Sequence, residues 1–202
     1  MKKIIICSIP MKEDPRKCRY PSDIRSLPTS DKEVMCPINA YLETISTPDD
    51  EFKLILLVKN DGKPHSANNL KTFMEEFCAA TGKTDITPIV IETEFKQGQD
   101  VYEQLMGKIV DVIDADSYVL ADVTYGPKDI PVAVFAALAF AKNHLRCDIE
   151  HVIYGQAHFE KGIPGNTGIC DMVALLYMVT ITSTIRSNDP QNAKELLKTL
   201  IS

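Results

Sequence analysis

The chain has 202 residues, 45% of them hydrophobic and 25% charged, which is enough length for one well-filled core and the make-up of an ordinary globular protein. Its 22 Lys and Arg against 28 Asp and Glu leave a net charge of −6, so a broad electrostatic grip on duplex nucleic acid is not expected and an anionic ligand has to be held locally. With 9 Gly and 12 Pro the chain is neither collagen-like nor of low complexity, and its apolar runs are too short and interrupted to span a bilayer. The opening Met-Lys-Lys-Ile-Ile-Ile-Cys-Ser lacks the long apolar stretch of a secretory signal, which places the protein in the cytoplasm. Cys7, Cys18, Cys36, Cys78, Cys147 and Cys170 are scattered, with no CxxC pair, and the four histidines form neither HExxH nor HxH, so no metal and no cofactor are expected.

In chain order, Lys2 to Ser8 reads as a first strand, followed by an extended loop over 9–30 that holds four prolines and five basic residues. A helix is expected over Glu33 to Ile45, and a second strand over Phe52 to Lys59. Ser66 caps the next helix, Ala67 to Ala80, whose Leu70, Phe73, Met74 and Phe77 form one apolar stripe before Gly82 stops it. Ile86 to Glu92 is a third strand, and Asp100 to Ile113 a helix with Val101, Leu105, Ile109, Val110 and Ile113 on one side. The fourth strand, Ser117 to Val123, leads into a helix over Pro131 to Asn143 that is apolar nearly all round, and so expects cover from the sheet and from something else, a second subunit among the candidates. Ile149 to Tyr154 is the fifth strand. Beyond it come a Gly/Pro-rich loop, Gly155 to Gly168, a mostly apolar stretch from Ile169 to Ser187, and a last amphipathic helix, Asn192 to Ile201.

Continuous apolar strands alternating with helices predict an α/β protein: a Rossmann-like, doubly wound, mainly parallel sheet of five to six strands with helices on both faces. The whole chain is expected to be a single domain, with residues 1–155 as the core and 156–202 as a C-terminal helical extension. In such a sheet ligands bind outside the carboxyl ends of the strands. No GxGxxG follows the first strand and no GxxxxGK[ST] occurs anywhere, which weakens a dehydrogenase or NTPase reading. The segment after the fourth strand, Asp122-Val123-Thr124-Tyr125-Gly126-Pro127-Lys128-Asp129, is the most informative. Gly126 permits a tight turn, the following helix offers free backbone N–H groups, Thr124 a hydroxyl, Tyr125 a flat ring and Lys128 a positive charge, together a pocket for phosphate and base. The same residues also suit a plain strand-to-helix turn.

DVTYGPKDIPVAVFAALAFAKN followed by CDIEHVIYGQ resembles the Asp-x-Thr-His-Gly motif, apolar helix and "YG" strand end of CRISPR-associated Rossmann fold (CARF) domains, with Tyr125 where histidine is usual. The loop with Arg19 and Tyr20 (CRYPS) and Asp171 opening the late helix add to the likeness. The resemblance implies a homodimeric sensor of cyclic oligoadenylates, of four or six units, in type III CRISPR antiviral defence. It carries Ser8, Ile9, Pro10 and Met11 after the first strand and Thr124, Tyr125, Gly126, Pro127 and Lys128 after the fourth onto the ligand groove. Asn60 after the second strand, Thr93, Phe95, Lys96 and Gln97 after the third, and Arg19 and Tyr20 over the ligand complete the candidates. No effector signature is visible, so the expectation is a free-standing sensor or one whose effector lies beyond residue 202. A ring nuclease without metal is the alternative, with Lys128 stabilising charge and Ser8 orienting phosphate while the ribose 2′-OH attacks phosphorus. The departure to Tyr125 removes a general base from that position. An unrelated Rossmann-like nucleotide enzyme is the second alternative, and a merely dimerising structural domain the blandest.

Overall fold

A computed structural model describes residues 2–59, 62–93, 98–160 and 163–201. Among them, six strands form one sheet in the order β3-β2-β1-β4-β5-β6, parallel except for the last pair. In chain order the elements are β1 (Lys2–Ser8), α1 (Pro37–Ile45), β2 (Glu51–Lys59), α2 (His65–Thr81), β3 (Ile89–Thr93), α3 (Gln99–Asp111), β4 (Tyr118–Asp122), α4 (Asp129–His144), β5 (Asp148–Glu160), β6 (Ile163–Asp171), α5 (Val173–Thr184) and α6 (Pro190–Ile201). This is the expected Rossmann-like, doubly wound α/β architecture.

Strand alternation sorts the core into two layers. Ile4, Ile6, Ile55, Leu57, Val119 and Ala121 face α3 and α4. Ile5, Cys7, Leu54, Leu56 and Leu120 face α1 and α2. The stripe of α2 works as expected, with Phe73 and Phe77 fully buried and Phe77 set edge-on to Phe52 at 5.4 Å between ring centres. In α3, Leu105 and Ile109 are buried, as is Ile113 just beyond it. The nearly all-apolar α4 buries Ile130, Ala133, Val134, Ala137, Leu138 and Ala141 against the sheet and packs against both α3 and α5, so sheet and flanking helices together cover it. Val132, 70% exposed, is left out of that cover.

Prolines shift several boundaries from those read in the sequence. Helix α1 starts at Pro37, not Glu33, because proline suits the first helical position and holds the residue before it, Cys36, in extended backbone (φ −106°, ψ 123°). Strand β3 starts only after Pro88, which has no N–H to give a ladder. Gly82 ends α2 as expected, in the left-handed region at φ +71° with its N–H on the Cys78 carbonyl, 2.9 Å. Ser66, expected as the cap, lies inside the helix, and its hydroxyl instead donates to the Lys59 carbonyl at 3.0 Å.

The largest correction concerns residues 155–171. The described residues of the expected Gly/Pro-rich loop are strand: β5 runs on to Glu160 and pairs antiparallel with β6. The C-terminal portion is therefore not purely helical, since its first part extends the sheet. Cross-strand pairing satisfies the backbone there, and no local apolar alternation was needed to announce it. No helix among the described residues is long and apolar enough to cross a membrane.

Replacing the fully buried ring in Phe77→Ala should cost about 3–5 kcal/mol. Denaturant unfolding should show this as a lower midpoint at unchanged slope.

Candidate functional site

Strand β1 connects to β2 on one side of the sheet and β4 is reached from β3 on the other, so the strand order reverses between β1 and β4 and opens a crevice at their carboxyl ends. Ser8 ends β1 and Asp122 ends β4. Asp122 is 1% exposed, and its two oxygens take different partners: Oδ1 accepts the Thr124 N–H at 2.9 Å and Oδ2 the Ile38 N–H at 3.1 Å. One carboxylate thereby shapes the turn after β4 and caps the start of α1 from another element. Burial pushes its pKa up despite those donors.

The turn brings Gly126 against Ser8. Gly126 has φ +97°, and a Cβ placed there would lie 3.6 Å from Ser8 Cβ and 3.5 Å from Ile130 Cδ1. That is ordinary contact, so the demand for glycine comes from the left-handed backbone rather than from lack of space. Among the described residues, the buried Ser8 hydroxyl has no hydrogen-bond partner. A hydroxyl in that state costs stability with nothing internal to offset it. Pro127 accepts the Ile130 N–H at 3.1 Å, and Lys128 stands exposed immediately before α4. Asp129 puts a negative charge in the first turn of that helix, so Lys128 is the group that has to attract an anion.

Other expected site residues are occupied by the fold. Thr124 Oγ1 accepts the Gly155 N–H at 2.8 Å. Tyr125 turns its hydroxyl inward, donating to the Met35 carbonyl at 3.0 Å and lying 3.4 Å from the Tyr20 hydroxyl. Burial pushes the Tyr20 phenol up to about 12, the Tyr125 bond working the other way, and drives Tyr125 well above the ordinary tyrosine range. Tyr20 is 1% exposed, so it closes the crevice floor as a core residue instead of hanging over it as a mobile flap. Ile9 continues β1 with its N–H on the Leu57 carbonyl at 2.9 Å and its side chain in the α1/α2 core. The carbonyl of Pro10 accepts from Asn69 Nδ2 at 2.8 Å, with half-buried Met11 next in line. Arg19 is exposed, 3.9 Å from Glu33. Thr93 is buried at the end of β3, while Asn60, Phe95, Lys96 and Gln97 lie outside the described residues.

Among the described residues, Ser8, Gly126 and Lys128 are thus sequence-derived candidates that the fold does not itself engage. Among the described residues no group of three His, Cys, Asp or Glu suits a metal ion. The residues missed from sequence are those that build the crevice: Asp122, visible only as the first residue of the Asp-x-Thr motif, and Gly155. A Cβ at Gly155 would lie 2.7 Å from Pro37 Cγ and 2.9 Å from Tyr20 Cε1, so this strand glycine exists for close approach. Set against known protein families and curated proteins, the chain matches none.

Gly155→Ala should destabilise by about 1–3 kcal/mol through overpacking against Pro37 and Tyr20. Asp122→Ala, which orphans two backbone donors, should cost about 1–3 kcal/mol. Thermal melts of both variants check these values.

Proposed function

We propose that the chain is a sensor of a cyclic oligoadenylate, gripping phosphate at the β1/β4 crevice of two copies related by a two-fold axis. The observation that carries the reading is the Ser8 hydroxyl, buried without a partner against the left-handed turn at Gly126, with the exposed ammonium of Lys128 two residues on. A phosphate oxygen supplies what that hydroxyl lacks, Gly126 lets it approach the backbone, and Lys128 supplies charge in an otherwise acidic protein. The likeness of residues 117–155 to CARF domains supports the choice of an adenylate ring over other phosphates.

Two copies are supported by the apolar surface beside the crevice. Tyr102, Met106, Val132, Ala133 and Ala136, with Glu103 and Asp129 beside them, line a shallow groove of about 410 Å³ between α3 and α4, close to Lys128 along the chain. A two-fold symmetric ring meets the same loop from each subunit of a symmetric dimer. Ring opening in the same site would ask Ser8 to orient phosphate and Lys128 to stabilise charge.

Titration with rings of four and six adenylates, read by calorimetry and by melting shift, tests the proposal. Wild type should bind one ring per dimer and melt higher when saturated, by about 2.7 kcal/mol at a hundredfold excess over Kd. Lys128→Ala should weaken binding at least tenfold with its dimer intact. Ser8→Ala should also weaken it while the unliganded protein melts no lower than wild type, because the lost hydroxyl had no internal partner. A Ser8→Ala protein that melts lower yet binds normally assigns the serine to structure and rejects the site. Chromatography of the incubated ring shows whether it is cleaved.

A further inference from the structure

A second polar centre lies on the α1 side of β5. His151 is 5% exposed; its Nδ1 is 2.6 Å from Asp171 Oδ2 and its Nε2 is 3.0 Å from the carbonyl oxygen of Ser26. The other oxygen of Asp171 accepts two backbone N–H groups, from Val152 at 3.1 Å and Val173 at 2.9 Å. A carboxylate receiving such donors is held ionised and can only accept. The Ser26 carbonyl can only accept as well. Both ring nitrogens must therefore carry hydrogen, and only the imidazolium does so.

Its surroundings suit that charge. Tyr41 of α1 meets the ring edge-on at 5.2 Å between centres and donates its own hydroxyl to Glu150 Oε1 at 3.2 Å. The groups set around His151 are thus two carboxylates, Asp171 and Glu150, one carbonyl and one neutral phenol. Burial opposes the charged ring, but the hydrogen bond to Asp171, the charges of Asp171 and Glu150 and the Ser26 carbonyl outweigh it and hold its pKa above the ordinary histidine value. Burial likewise works against the Asp171 carboxylate, yet the His151 bond and the two backbone donors keep its pKa low.

The three partners belong to separate elements: Ser26 to the long segment between β1 and α1, His151 to β5, and Asp171 to the end of β6 just before α5. Beside them runs a polar groove of about 430 Å³, with Asp23 and Ile24 on one wall and Gln156, Asn166, Thr167 and Ile169 on the other. Ser26 lies two residues past the first wall and Asp171 two past the second, so the imidazolium ties the walls together. The same segment carries Tyr20, whose carbonyl accepts from Thr29 at 2.7 Å and whose ring closes the crevice floor. We propose that His151 is a pH-set latch: as an imidazolium it holds residues 22–26, between the buried Tyr20 and Leu27, against the β6–α5 junction, and loss of its Nε2 proton releases that stretch and opens the groove.

The mechanism is simple electrostatics. A neutral ring keeps its Nδ1 hydrogen on Asp171 and turns a lone pair toward the Ser26 oxygen, an acceptor facing an acceptor. Because the folded pKa is raised, the contact is complete below the unfolded value of about 6.5 and is lost as pH rises through the folded value.

Nitrogen-15 NMR of the imidazole across the range of about pH 5 to 9 tests this on the wild-type chain, together with tryptic cleavage after the exposed Arg25, normalised to an unstructured peptide at each pH. The expected result is a His151 signal protonated on both nitrogens that titrates above the ordinary value, with normalised cleavage at Arg25 rising at least threefold over the same interval. His151→Gln should be cleaved rapidly at every pH while keeping the wild-type circular dichroism. A ring that carries a single hydrogen throughout, or cleavage at Arg25 that is flat across the wild-type titration, overturns the latch. Both decisive readings come from the wild type, so they stand even where the variant folds poorly, and neither depends on a ligand.

Discussion

The structure depends on how one buried carboxylate divides its lone pairs. Asp122 closes β4, holds the turn that presents Gly126 and Lys128, and caps α1 through Ile38. Helix α1 has no side-chain cap of its own, so its first turn relies on this neighbour from the middle of the sheet. The turn after β4 and the start of α1 are consequently set by the same group, and neither moves without the other. Burying the acid raises the cost of its charge, which two short backbone donors partly offset.

The same device recurs along the irregular chain between β1 and α1. This segment has one isolated bridge, between Cys18 and Val34, and otherwise no regular pairing of its own. Side chains from the body hold it instead. Asn69 donates to the carbonyls of Pro10 and Lys12, Glu76 accepts the Met35 N–H and pairs with Lys17, Asp122 takes Ile38 just beyond its end, and His151 takes Ser26. Each anchor is a buried or largely buried polar group matched to a backbone group, which is how a long loop can lie against a core without orphaned donors. Tyr20, Leu27 and Met35 add apolar footing between the anchors.

Function follows from what this packing consumes and what it leaves. Tyr20, Tyr125, Thr124 and Gly155 lock together and form a floor. Above it remain a hydroxyl with no partner, a backbone turn open to close approach and one exposed ammonium. The proposed phosphate would meet that residue set above a floor already packed and hydrogen-bonded, so little ordering is required on binding. The charged His151 contact lies off to the side and acts on the same segment through Ser26, so the floor and the outer groove share one covering strap.

The sequence by itself determined the class of fold: each of the five apolar runs falls on a strand, though β3 begins later and β5 runs longer than read, and the apolar faces of α2 and α3 and the Gly82 stop are in place, because period and turn chemistry are local properties. It also pointed to the segment after β4, since Gly126 beside Lys128 is a local signal. Only the tertiary structure decided that Tyr20 and Tyr125 are floor, that Ile9 and Pro10 are core and backbone anchor, and that β5 runs on to Glu160 and pairs antiparallel with a sixth strand, Ile163–Asp171. It alone revealed Asp122 and His151 as junctions. Their partners lie 84 and 125 residues away in the chain, and an interaction between groups so distant leaves no trace in spacing or composition.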